Sequence, residues 1–128
     1  MKNLIIAPHP DDEILGLGGT ILKKKNKEKF GVLYVTSMTK NKNWSKKHIQ
    51  NREKEIDSVK KFFKFEFVKK LDFPTSQLDM ISKYEIINKI NKVINFLSSQ
   101  GVRWIQKNKL IKNFFVNNAT GKSFFNNL

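Results

Sequence analysis

The apolar residues of this chain fall into short unbroken runs, separated by longer stretches in which they recur at helical spacing. Residues 4–7 (LIIA) form the first run, suited to a strand buried on both faces. Residues 30–36 (FGVLYVT) form a second run rich in β-formers, and 65–71 (FEFVKKL) offer a third. Between the first two, residues 14–22 lead into Lys23-Lys24-Lys25, a basic finish that suits a helix C-terminus. Polar residues 37–43 predict a loop. Ser45 then reads as the N-cap of a long helix with Ile49, Ile56, Val59, Phe62 and Phe63 on its apolar face. Residues 72–81, which include Pro74, predict another loop. Ser82, with Glu85 in capping-box spacing, opens a further helix whose buried stripe is Ile86, Ile87, Ile90, Val93, Ile94 and Leu97.

Strand and helix in alternation predict an α/β fold: a Rossmann-like parallel sheet with flanking helices in three layers, joined by right-handed crossovers. The alternation calls for a fourth strand after Gln100, but residues 102–105 (VRWI) are a short, poor one. Residues 109–116 (KLIKNFFV) suit two helical turns, and the remainder is an Asn/Lys/Phe mixture of no clear period. The last acidic residue is Glu85. The chain therefore reads as an α/β unit over 1–100 and an atypical basic tail over 101–128, with the sheet incomplete on its C-terminal side.

A length of 128 residues allows one domain. No apolar run is long enough for a signal peptide or a membrane span, so a soluble cytoplasmic protein is expected. The absence of cysteine excludes disulfides and thiolate ligands, leaving His, Asp, Glu, backbone oxygen or water to hold any metal. The net charge of +14 raises nucleic acid or an anionic surface as a partner. Against either partner, the charge is nearly all lysine, spread along the chain, with Arg52 and Arg103 the only arginines, as in a Lys/Asn/Ile/Phe-biased composition of the kind AT-rich coding sequence gives.

The chemistry concentrates in residues 8–13 (PHPDDE), at the end of the first strand, where open α/β sheets place their ligands. Imidazole and carboxylate together suit zinc and related ions. Pro8 and Pro10 fix φ and hold His9 extended, which lowers the entropy cost of presenting it. Two adjacent carboxylates allow one to bind metal while the other serves as general base. Asp12-Glu13 as a simple helix cap is the plainer reading, though it leaves His9 between two prolines unexplained. The nearby Gly16, Gly18 and Gly19 do not match a dinucleotide-binding loop and predict close packing of the helix on the sheet.

The run Ile6-Ala7-Pro8-His9-Pro10-Asp11-Asp12-Glu13, followed by Leu15-Gly16 and Gly18-Gly19-Thr20, resembles the first signature of the PIG-L (LmbE-like) family of zinc-dependent N-deacetylases. The resemblance spans about residues 2–99, including Arg52-x-x-Glu55 and the 71–78 loop. It implies that His9 and Asp12 are zinc ligands, that Asp11 is the general base and that Glu13 supports the loop. Arg52 matches an arginine near the substrate in some members; a surface ion pair with Glu53 or Glu55 is the alternative. The implied reaction removes an N-acetyl group from N-acetylglucosaminyl or related amino-sugar conjugates, with Zn2+ as cofactor.

Two departures alter that expectation. Pro74-Thr75 stands where many members have Pro-Asp. The family's third zinc ligand comes from an H-x-x-H element after the fourth strand, and this chain's only histidines are His9 and His48. His48, beside Lys46 and Lys47, reads as a solvated helix residue. Weak or absent zinc binding is therefore expected, as in a truncated or frameshifted chain. The competing readings are an inactive remnant and a basic module for nucleic acid or an anionic surface, with Phe114, Phe115, Phe124 and Phe125 as stacking groups.

Overall fold

Each apolar run becomes a strand in the structure, a computed structural model that describes residues 2–40 and 43–100. The order is β1 (Lys2–Ala7), α1 (Asp12–Lys24), β2 (Lys29–Ser37), α2 (Lys46–Phe63), β3 (Phe67–Pro74) and α3 (Lys83–Ser99), with single 3-10 turns at Met38–Lys40 and Leu78–Met80. The strands form one parallel sheet in the order β1-β2-β3. The tail, with its expected strand and helical turns, lies outside the described residues.

Alternate residues of each strand point to opposite faces, and both faces are covered. Ile5, Ala7, Val32 and Tyr34 pack with Ile21 of α1 and with Ile56 and Phe63 of α2. Leu4, Ile6, Leu33 and Val35 pack with Ile86 and Leu97 of α3. The result is the expected three-layer α/β architecture. Each fully buried Leu, Ile, Val or Phe contributes about 1.5–3 kcal/mol, which is why the two-sided β2, buried from Phe30 to Ser37, anchors the fold.

Both long helices begin where the serines predict. The Ser45 hydroxyl accepts from the His48 N–H at 3.3 Å, and the Ser82 hydroxyl from the Glu85 N–H at 3.2 Å. The Glu85 carboxylate turns to Lys89 at 3.3 Å. Other expectations shift. The third strand starts at Phe67 rather than Phe65 and runs through Asp72 to Pro74. An extra residue in β3, opposite the Tyr34–Thr36 stretch of β2, puts Asp72 at φ 57°. Phe62, expected on the buried face of α2, is 61% exposed. Gly16 and Gly19 are exposed with open space around them, so they do not bring α1 close to the sheet; of the three glycines only Gly18 is buried.

The topology also positions the site. α1 and α2 cross on one face while the chain moves from β1 to β3, whereas α3 returns on the other. The loop after β1 therefore leaves the C-terminal end of the parallel strands, the side open α/β sheets use for ligands.

Candidate active site

The loop leaving β1 is tied to β2 at its first residue. The Pro8 carbonyl accepts from the Thr36 N–H at 3.0 Å and from the Thr36 hydroxyl at 2.7 Å. From there the chain turns so that the Asp12 carboxylate reaches back to His9, accepting its backbone N–H at 2.9 Å and lying 3.3 Å from its ring Nδ1. The His9 side chain is 40% exposed and that of Asp12 15%. The two expected metal ligands are therefore adjacent, with the imidazole on the open side.

Asp11, between them in sequence, has φ 132° and ψ −29°, a conformation rare for any residue with a Cβ. It occupies the N-cap position of α1, yet its side chain makes no cap hydrogen bond. Glu13 takes that part. One carboxylate oxygen accepts the Asp11 N–H at 3.0 Å, and the other accepts the Tyr34 hydroxyl at 2.8 Å. Glu13 is 2% exposed and Tyr34 1%. Burial, and next the hydrogen bond to Glu13, push the Tyr34 phenol far above its ordinary range. A buried carboxylate with a donor on each oxygen thus pins the strained residue, and the Asp11 side chain stays exposed. The plain cap reading holds for Glu13 alone, since Asp12 bonds to His9 instead.

Tyr34 is the residue that sequence reasoning missed, because within an apolar run it reads as core. Its hydroxyl was the available signal: a buried tyrosine O–H requires an acceptor. Arg52 comes to the same side of the loop. With Pro10, Asp11, Glu13 and Tyr34 it lines a recess of about 50 Å3, well short of the roughly 300 Å3 or more of a pocket that encloses a ligand. Its guanidinium pairs with Glu55 at 3.2 Å, while Glu53 pairs with Lys70. The geometry thus contains both the ion pair and the placement beside Asp11. His48 lies in the exposed first turn of α2, its ring nitrogen 2.8 Å from the Ser45 hydroxyl and its ring edge-on to Trp44.

Among the described residues, no group of three or more His, Asp or Glu could hold a metal ion. The His9–Asp12 pair does fit one as far as two donors can. Ligands about 2.0–2.2 Å from a tetrahedral zinc lie roughly 3.3–3.5 Å apart, and these two are 3.3 Å apart.

Comparison with known proteins agrees with this fold. The chain is similar to the N,N'-diacetylchitobiose deacetylase from Pyrococcus horikoshii: 26% identity, TM-score 0.58, covering 72% of this chain and 36% of that one. It also aligns with the conserved protein TT1542 from Thermus thermophilus, at 33% identity and TM-score 0.47, covering 56% of this chain and 32% of that one. It therefore spans about a third of the length of either. No curated protein matches it. Residues 4–110 match the family model described as PIG-L, GlcNAc-PI de-N-acetylase, and the chain belongs to that family.

Proposed function

We propose that this chain carries part of a zinc-dependent N-deacetylase site acting on N-acetylglucosaminyl or related amino-sugar conjugates. The observation that carries the reading is the loop after β1. His9 and Asp12 bring their donors to 3.3 Å, and Asp11 stands beside them with its side chain exposed and free of helix capping. Family membership and the deacetylase similarity support the same chemistry.

In this reading His9 and Asp12 hold the ion. Bound there, zinc would polarise the amide carbonyl and lower the pKa of a water. The Asp11 carboxylate takes the proton from water as its oxygen attacks the acetyl carbon. It returns that proton to the nitrogen as the carbon–nitrogen bond breaks, giving acetic acid and the amine, which at neutral pH become acetate and the ammonium ion. Glu13 and Tyr34 hold Asp11 in position through its backbone N–H. Arg52, with five N–H donors, has enough to keep Glu55 and still bind a substrate hydroxyl.

Catalytic zinc normally has three protein ligands. These 128 residues supply two by the family pattern, and 101–128 contain no His, Asp, Glu or Cys. These 128 residues by themselves are expected to bind zinc weakly and turn over slowly. Equilibrium dialysis with zinc, run beside acetate release from N,N'-diacetylchitobiose, tests the reading. Sub-stoichiometric zinc and slow release that Asp11→Asn abolishes are expected. Tight stoichiometric zinc with rapid turnover overturns the two-donor site, and release unchanged in Asp11→Asn overturns the role of the loop.

A further inference from the structure

Lysines scattered through the sequence meet at one end of the fold. Lys23, Lys24 and Lys25 close α1 and Lys27 follows it, Lys2 and Lys29 open β1 and β2, and the three between 60 and 64 close α2. Lys2 and Lys29 are register partners. Lys25 donates to the Phe62 carbonyl at 2.9 Å, and Lys64 donates to Asn26 at 3.1 Å, joining the two helix ends. Glu28 and Glu66 are the acidic residues within these connections, and both are already engaged. Glu66 lies 3.8 Å from Lys2 and 3.3 Å from Lys29, and Glu28 lies 3.2 Å from Lys24. The opposite end of the sheet carries the Asp11-Asp12-Glu13 loop, with Lys46 and Lys47 at the start of α2. Offsetting helix dipoles accounts for lysines in the last turns of α1 and α2. It does not account for Lys2, Lys27 or Lys29, which lie outside any helix.

We propose that this lysine-rich end is a docking surface for an anionic lipid bilayer. Two features favour a bilayer over nucleic acid. Among the described residues the cluster has no arginine, so its lysines offer diffuse point charge rather than the bidentate forks that read phosphates and bases. It also presents apolar side chains among the lysines, as interfacial anchors do: Phe62 is 61% exposed, and Leu22, one turn before Lys25, is 44% exposed. The Phe62 ring is a poor stacking platform for a base, because the Lys25 ammonium sits 4.5 Å from its centroid and Phe63 packs against it edge-on. Docked by this end, the chain turns the Pro8–Glu13 loop toward the aqueous side.

The test is co-sedimentation of the full chain with phosphatidylserine/phosphatidylcholine vesicles, against phosphatidylcholine alone and against single- and double-stranded oligonucleotides. Lys23→Ala/Lys27→Ala/Lys61→Ala removes three exposed lysines whose side chains take no part in the ion pairs and hydrogen bonds that join the helix ends; Lys46→Ala/Lys47→Ala/Lys54→Ala removes the same charge elsewhere. Each surface lysine near a bilayer contributes about fivefold in binding. The first variant should therefore lose on the order of 100-fold in vesicle affinity, the second only a few-fold, and circular dichroism should show both folded. Phe62→Ala should reduce the binding that persists at high salt. Equal losses in the two triple variants would show diffuse charge and overturn the surface. Failure of the parent chain to bind phosphatidylserine vesicles, or tighter binding to an oligonucleotide at equal salt, overturns the bilayer.

Discussion

Asp11 holds φ 132° and ψ −29°, a conformation that costs a non-glycine residue about 1–3 kcal/mol. The strain is maintained by Glu13, whose buried carboxylate accepts both the Asp11 N–H and the Tyr34 hydroxyl. Asp11→Gly should therefore raise unfolding stability in urea by about 1 kcal/mol, because glycine tolerates positive φ, while eliminating any acetate release. A fall in stability would show that the backbone is not strained there. Tyr34→Phe acts at the other end of the same chain of bonds. It leaves one Glu13 oxygen buried without a donor and should cost about 1–3 kcal/mol. The pH dependence has a definite sign. The folded-state pKa of Tyr34 is raised above its ordinary 10.0, first by burial. Its contribution is complete below that value and is lost as pH rises beyond it, when the unfolded chain ionises its tyrosine and the folded chain resists. Between neutral pH and strongly alkaline pH the parent should thus lose more stability than Tyr34→Phe does.

At the level of elements, the end of α2 shows why one boundary was illegible. Lys64 adopts the left-handed conformation at φ 58°, and the Phe65 N–H reaches the Lys60 carbonyl at 2.9 Å. Phe65 then stacks on Phe63, with centroids 5.8 Å apart. This is a Schellman ending, but with lysine where glycine usually marks it. Without that marker, Phe65-Glu66-Phe67-Val68 reads as the start of a strand. Lys64→Gly should stabilise the chain by up to about 1 kcal/mol, since it removes the Cβ cost of the left-handed position; an unchanged urea midpoint would count against the motif. The serine caps were legible because a hydroxyl followed by an apolar stripe has one economical use. Gly31 was not, because its reason is tertiary: a Cβ there would lie 2.2 Å from the Phe67 ring on the neighbouring strand. In the site, His9 and Asp12 stand three residues apart and could be paired from sequence. Tyr34 lies 21 residues from Glu13, and only the β1–β2 register brings it there.

Across the whole molecule, the loop after β1 joins a buried strand to a helix on one face of the sheet, so an ion held by His9 and Asp12 would bind the folded chain alone. Zinc at ten times its dissociation constant would then add about 1.4 kcal/mol to stability, a rise of a few degrees in Tm for a domain of roughly this size. This measurement separates metal binding from turnover, which matters where two donors suffice for one and not for the other. His9→Ala and Asp12→Ala should each abolish the zinc-dependent rise. His48→Ala should preserve it, because His48 is engaged with Ser45 on the exposed start of α2 and its N-cap bond runs through the backbone N–H. The magnitude should saturate with zinc concentration, and magnesium, which prefers an octahedral oxygen shell, should not reproduce it. A zinc-induced rise of equal size in His9→Ala would place the ion elsewhere on the chain and leave the loop without a metal.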